Sequence, residues 1–396
     1  MIRKRILVVH RYYRPDETSC AIVFYNICSY LSSLGHDVTV LTSKPSYREN
    51  YDSLDASVCS EIIEGVFVRR LSLPYELKSP TLRVVNALRL GFSAFVSILF
   101  RRYDLVIAST SPPVLGALFV ALGAKLKGTR FIYSCMDVYP EMGCLSGDFK
   151  NKYIISILRR VDNWNCRQAN PVLVHSRDMC NTLRSRANGD QYNIEILNNF
   201  VAPLAQSNDQ PYPANDGLTL IYAGNIGRFQ GLDAFIDAMI LVKDRVDVQL
   251  IILGNGLEKN RLMQKVSSAN ANVSFIPYQP TEVAKAMIRQ ADIGIVSLIP
   301  EMYKYAYPSK SIAYLESSRP FIAAIEEESE LASEVVSGGY GFAVPAGDHA
   351  AIAKLIISLA DDSSWKIDMR AAAHRAYIES FAPEVVLTRW QQLVES

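Results

Sequence analysis

At 396 residues the chain has room for two domains of ordinary size, each with its own core. Its composition, 49% hydrophobic and 20% charged with a net charge of +1, is that of a soluble globular protein and gives no global sign of nucleic-acid binding. Seven cysteines, an odd number without a CxxC pair, and five scattered histidines indicate neither a disulfide framework nor a zinc site, so reduced thiols in a cytoplasmic protein are expected.

Charge divides unevenly along the chain. Residues 1–200 carry 25 Lys and Arg against 17 Asp and Glu, a net of +8, and the remainder carries 16 against 23, a net of −7. A basic N-terminal half fits an anionic surface or substrate, a membrane face being the natural candidate. Chance imbalance on solvated faces is the alternative.

Arg3, Lys4 and Arg5 precede an apolar run, 6–9, that is too short for a signal peptide and reads as a first strand. A helix over 20–35 follows, with Ile22, Ile27, Tyr30, Leu31 and Leu34 as its buried stripe and Gly35 as its stop. Residues 37–42 form a second strand, and 67–71 an extended piece after a polar loop. The helix predicted over 81–102 alternates apolar Leu82, Val85, Leu88, Phe92, Phe95, Val96 and Leu99 with Arg83, Arg89, Arg101 and Arg102. Such a basic amphipathic helix lies in a membrane interface or packs on its own sheet.

Strands at 105–109, 130–135, 172–175 and 194–197 alternate with helices at 113–126, 152–168 and 178–187. Residues 105–124 carry no charge, but Thr110 to Pro113 split them into a strand and a short helix, so they do not span a bilayer. Periodicity is lost over 201–216, which gather Pro, Asn, Asp and Ser and read as a linker. The alternation restarts with strands at 218–223, 248–253, 273–276, 293–297, 320–324 and 341–344, and ends on a helix at 383–394. The expected fold is α/β: two doubly wound parallel-sheet (Rossmann-like) domains, 1–200 and 217–380, facing across a cleft where ligands of such sheets bind. Residues 381–396 form a terminal helix that packs back on the first domain in this reading.

Within the second domain, strand 218–223 runs into Gly224, Gly227 and Gly231, and then into Leu232, Phe235, Ile236 and Met239 at helical spacing. A strand, a glycine turn and a helix start make a cup of backbone N–H groups suited to a phosphate or diphosphate, with Arg228 as a fixed charge beside it. An ordinary β–α turn has the same pattern.

Several motifs in this order carry a resemblance. They are Tyr12-Tyr13-Arg14-Pro15-Asp16-Glu17, Gly35-His36-Asp37-Val38-Thr39-Val40-Leu41-Thr42, Ser111-Pro112-Pro113 and Asp137-Val138-Tyr139-Pro140-Glu141 in the first half. In the second half they are Gly224-Asn225-Ile226-Gly227, Gln230-Gly231-Leu232, Leu253-Gly254-Asn255-Gly256, Pro308-Ser309-Lys310 and the run 341–348. Over nearly its whole length the chain resembles retaining glycosyltransferases of the GT-B fold, family GT4, closest to the bacterial branch that builds O-antigen, capsule and other lipid-linked polysaccharides.

The resemblance implies a nucleotide-sugar donor, a UDP-sugar, held mainly by the second domain. It also implies a lipid-linked saccharide acceptor held by the first, at the inner face of the cell membrane. No metal and no separate cofactor are expected. The diphosphate would sit on the turn of Gly224, Asn225 and Gly227, near Gln230, Gly254, Gly256 and Ser309, with Arg228 and Lys310 compensating charge on the leaving nucleotide. The backbone at Pro277 and Tyr278 would face the base. Asp137 and Glu141 are the first-domain candidates for orienting or deprotonating a sugar hydroxyl, with a helix-start role open to both.

Three departures from the family pattern stand out. Ala313 takes the place of the Glu that holds the donor ribose, with Glu316 one turn later as its possible substitute. Tyr305 replaces the first Glu of the family's spaced pair, with Glu301 nearby, and Ser318 replaces a glycine before Arg319 and Pro320. They keep open a non-catalytic partner or regulatory subunit of the same fold. A nucleotide-sugar epimerase or a dinucleotide-dependent oxidoreductase is a third class, and the first strand-to-helix loop lacks the glycine fingerprint of the latter.

Overall fold

The computed structural model describes residues 2–45, 59–74, 80–145, 147, 149–201 and 217–396. They fall into two compact units: Met1–Asn198 with Tyr305–Tyr307 and Val386–Ser396, and Asn199–Lys304 with Pro308–Val385. Apart from Val201, the linker expected over 201–216 lies outside the described residues.

The first unit runs β1 (Arg5–Val9), α1 (Ser19–Ser33), β2 (Asp37–Ser43), β3 (Ser60–Ile63), β4 (Val66–Leu71), α2 (Pro80–Phe100), β5 (Leu105–Ser109), α3 (Leu115–Lys127), β6 (Arg130–Ser134), α4 (Glu141–Leu145), α5 (Lys152–Gln168), β7 (Val172–Val174), α6 (Arg177–Arg184) and β8 (Ile194–Ile196). Its strands lie in the order β3-β4-β2-β1-β5-β6-β7-β8. Strands such as β5, buried at every position, are apolar throughout because helices cover both sheet faces. The antiparallel pairing of β3 with β4 was not expected. Residues 60–63, Ser-Glu-Ile-Ile, lack the continuous apolar run of a buried strand because they form a half-exposed edge, and the hairpin closes through Glu64 and Gly65, both at positive φ.

Helices α2 and α3 meet at their backbones. A Cβ added at Gly91 would stand 3.0 Å from the Gly116 carbonyl oxygen, and Leu90, Ala94 and Ile98 join Ala117, Val120 and Ala121 in one core cluster. By length and composition alone Thr81–Phe100 is apolar enough to cross a membrane. It nevertheless has two faces. The row through Ala87, Leu90, Ala94 and Ile98 is buried, while Val84, Val85, Leu88, Phe92, Val96 and Phe100 are exposed. The terminal helix α14 (Pro383–Glu395) belongs largely to this unit: Trp390 meets Phe24 edge-on at 6.4 Å, and Lys4 Nζ donates to the Val394 carbonyl at 2.6 Å.

The second unit runs β9 (Leu218–Ala223), α7 (Asp233–Val242), β10 (Val248–Leu253), α8 (Lys259–Ala269), β11 (Val273–Ile276), α9 (Thr281–Gln290), β12 (Ile293–Ser297), α10 (Lys310–Glu316), β13 (Phe321–Ala324), α11 (Glu330–Ser337), β14 (Gly341–Val344), α12 (His349–Asp361) and α13 (Trp365–Ala376). The sheet is wholly parallel in the order β11-β10-β9-β12-β13-β14, so strand order reverses between β9 and β12. That reversal opens a crevice at the carboxyl ends of the two strands.

The turns after β9 and β10 touch. A Cβ on Gly254, whose φ is +144°, would lie 2.0 Å from the Gly224 carbonyl oxygen, and one on Gly256 would lie 2.1 Å from that of Ile226. Both positions therefore require glycine. Gly254→Ala is expected to destabilise the chain by roughly 2–4 kcal/mol, read as a lower urea midpoint.

Candidate active site

In the second unit the site is built at the crevice between β9 and β12. Tyr314, on α10, spans it: its hydroxyl accepts from the Ala223 N–H at 3.1 Å and lies 3.2 and 3.1 Å from the carbonyls of Ile221 and Ile295. Room for its ring exists because residue 294 is glycine, where a Cβ would come within 2.7 Å of the ring. Tyr314 thus fixes α10 on the sheet, and Lys310, four residues earlier, is carried on the same helical face. No pattern in the chain marks Tyr314 beforehand. The two signals are its spacing from Lys310 and a glycine inside an apolar strand.

Lys310 is the electrostatic centre of this unit. Its chain runs past Gly224, where a Cβ would sit 3.5 Å from Cε, and its Nζ lies over the Tyr222 ring at 5.0 Å from the centroid. Among the described residues no carboxylate pairs with it. It also occupies the first turn of a helix, where the dipole disfavours a cation. Burial pushes its pKa down to about 8, so at neutral pH it holds its proton against desolvation. Such a charge lacks an anion.

The glycine turn beside it differs from the expected cup. The N–H of Gly224 donates to Leu253 O, that of Ile226 to Asn255 O, and that of Gly227 to Gln230 Oε1 at 3.0 Å. These three amides serve the turn itself, so the cation and the exposed Gly224–Asn225 edge remain to receive an anion. Gln230 acts as a brace for Gly227. Arg228 is two-thirds exposed and stands 3.9 Å from Glu258, a loose pair. Ser309 is exposed immediately before Lys310, and Pro277 and Tyr278 are exposed just after β11, at the same carboxyl edge.

Glu316, the candidate ribose holder, is ion-paired. Its carboxylate is buried, 5% exposed, and paired with Lys285 of α9 at 3.3 Å. The helical spacing from Ala313 is real, but the partner that turns Glu316 away lies on a separate element.

In the first unit strand order reverses between β1 and β5. Here His10, fully buried, shares a 2.6 Å hydrogen bond between Nδ1 and Ser109 Oγ, and burial lowers its pKa to about 3, keeping it neutral. Asp137 follows β6 at the same edge. Thr110 Oγ1 accepts from the N–H of Met136 and of Asp137, and Val138 N–H donates to Tyr305 O at 2.8 Å. Desolvation raises the Asp137 pKa to about 6, a value suited to a group that is ionised at neutral pH yet able to take a proton. The neighbouring Cys20 thiol, raised to about 12 by burial, is neutral.

Glu141 has a structural role. Arg186 reaches its Oε2 at 2.5 Å, Arg159 its Oε1 at 3.0 Å, and Arg186 continues to Asp162 Oδ2 at 2.7 Å, which also accepts from the Tyr133 hydroxyl through Oδ1. The network ties α4, α5 and β6 to the segment after α6.

Residues 20–199 match the family model described as "Glycosyl transferase 4-like domain", and residues 217–362 the one described as "Glycosyl transferases group 1". The chain is similar to the probable glycosyltransferase WbjE of Pseudomonas aeruginosa, 26% identical over 275 residues that cover 67% of this chain and 68% of that one. It is 25% identical over 319 residues to the putative colanic acid biosynthesis glycosyl transferase WcaI of Escherichia coli K12, covering 74% and 76%. Among solved structures, sucrose-phosphate synthase from Thermosynechococcus elongatus superposes with a TM-score of 0.79 at 17% identity over 99% of this chain and 98% of that one. Anabaena HepE, in complex with UDP and glucose, superposes with a TM-score of 0.70 at 14% identity over the whole of both chains.

Two outcomes separate site from scaffold. Lys310→Met removes a charge that burial opposes at pH 7, so it is expected to raise the thermal midpoint of the ligand-free protein while abolishing stabilisation by nucleoside diphosphates. Glu141→Gln is expected to lower stability by roughly 2–4 kcal/mol in urea unfolding while leaving nucleotide affinity unchanged.

Proposed function

We propose, from the premise that this chain is a glycosyltransferase of the GT-B fold, that it moves a sugar from a UDP-sugar to a lipid-linked saccharide of a bacterial surface polysaccharide. The observation that carries the donor half is Lys310: a desolvated ammonium beside Gly224, with no counter-charge among the described residues, at the strand-order reversal of the second unit. The UDP of the HepE complex and the polysaccharide named for WcaI support the choice of donor and pathway class.

As the bond from the anomeric carbon to the β-phosphate oxygen breaks, negative charge gathers on the departing UDP. Lys310 neutralises it in a low-dielectric setting, with Arg228 closing from the exposed side. These fixed cations do the work a metal does elsewhere, so transfer proceeds without one. The acceptor hydroxyl forms the new bond to the anomeric carbon and gives up its proton, with Asp137 orienting that hydroxyl and receiving the proton. Retention of anomeric configuration belongs to the same reading.

Attachment at the inner membrane face draws support from the first unit's surface. Helices α2 and α3 contain no Asp or Glu, and their exposed apolar residues include Phe92, Phe100, Leu122 and Leu126. Arg83, Arg89, Lys125 and Lys127 are exposed among them. Apolar burial together with attraction to anionic lipid is the combination that holds a peripheral protein.

One observation favours a second reading. Glu316 is the only acid on α10 and is committed to Lys285, which leaves that helix without a ribose-holding carboxylate. A subunit that binds nucleotide without turnover has this arrangement.

Thermal shift against UDP, GDP, ADP, TDP and CMP, with NAD as control, tests the donor, and UDP is expected to give the largest shift. Asp137→Asn is expected to keep that shift and lose transfer from a UDP-sugar by about a hundredfold or more. A UDP shift without transfer by the wild-type chain would instead select the non-catalytic reading.

A further inference from the structure

In the first unit an apolar groove of about 420 Å³ lies between the end of β4 and helix α2. Leu71, Leu73, Phe92 and Val96 form its walls, and Arg69 and Arg89 also line it. Its lining contains no acid, and among the described residues no carboxylate pairs with either arginine. The wall after β4 is held in place, because Asn86 Nδ2 of α2 donates to the Pro74 carbonyl at 2.8 Å. Phe92 is 56% exposed and Val96 37%, so the groove presents apolar surface to solvent and shares its lining with two cations.

We propose that this groove seats the lipid-phosphate end of the acceptor, an inference that rests on the lipid-linked acceptor of the preceding reading. The hydrocarbon chain lies along Leu71, Leu73, Phe92 and Val96, and the phosphate lies between Arg69 and Arg89. A guanidinium pair matches a phosphate in charge and in hydrogen-bond geometry. Apolar walls beside that pair select a phosphate that carries a chain over a free one.

Position favours the acceptor over a lipid of the bilayer. Leu71 pairs with Ser43 at the carboxyl end of β4 and β2, the same sheet edge at which Asp137 follows β6. Four strand spacings, about 19 Å, separate β4 from β6. That span is occupied by the saccharide between the phosphate and the reacting hydroxyl. The groove thereby sets which sugar along the acceptor reaches Asp137, a length selection in addition to membrane attachment.

The test is calorimetric titration of the full chain with geranylgeranyl phosphate below its micelle concentration, with UDP affinity measured on the same samples. One saturable site is expected, with geranylgeraniol and inorganic phosphate each about tenfold weaker or more, since each supplies half of the contacts. Arg69→Ala/Arg89→Ala is expected to weaken geranylgeranyl phosphate to the level of geranylgeraniol and to leave UDP binding unchanged. Phe92→Ser is expected to weaken both prenyl ligands. Equal affinity of wild type and the double arginine variant would overturn the proposal, as would full displacement by an equal concentration of phosphatidylglycerol in bicelles, which would assign the groove to bilayer lipid. Failure of the wild-type chain to bind UDP would count against the transferase reading and leave the groove standing.

Discussion

An ammonium group partly withdrawn from water with no carboxylate beside it is unfavourable, and it persists only where the surrounding backbone holds it in place. Lys310 is held this way. The contact of Gly254 with the Gly224 carbonyl sets the floor on one side, and the Tyr314 hydroxyl, wedged between β9 and β12, sets the helix on the other. Each of these elements is a close contact within the second unit's own sheet. Together they convert the burial of a sheet into a fixed positive charge at its carboxyl edge, which is the property a departing nucleoside diphosphate needs.

The two units solve the same topological problem with different chemistry. In each, the order of parallel strands reverses once and a crevice opens at the carboxyl ends. The second unit places a cation there. The first places a neutral histidine hydrogen-bonded to Ser109, and Asp137 two strands from β1 at a pKa near 6, with a buried Arg186 network holding the strand-to-helix connection rigid. The buried cation and the buried carboxylate are therefore carried on separate cores.

Much of this was legible in the sequence, and the reason is burial. Strands covered on both faces are largely apolar, so β9, β10 and β12 stand out as runs at 218–223, 248–253 and 293–297. The edge hairpin of β3 and β4 was partly missed because an exposed edge needs no such run. Lys310 and Asp137 were marked by their places after a turn and after a strand. Glu141 and Glu316, read as candidate substrate contacts, are both ion-paired in the structure. Each is paired with a cation distant in sequence, Arg186 and Lys285, and periodicity reports which face a residue occupies without reporting its partner. The amides of the Gly224 turn were misjudged likewise, since their acceptors belong to β10's turn and to Gln230.

The central claim is that Lys310 is a lone, desolvated cation that gains its counter-charge from the donor diphosphate. It is tested most directly by the protons taken up on UDP binding at pH 8.5, obtained by calorimetry in buffers of different ionisation enthalpy. With a pKa of about 8 in the free protein, Lys310 is mostly deprotonated at that pH and regains its proton when the diphosphate arrives. The account predicts uptake of most of a proton per UDP, about three-quarters, in the wild-type chain and none in Lys310→Arg, whose guanidinium is charged throughout. UDP binding by the wild-type chain with no proton uptake would contradict it.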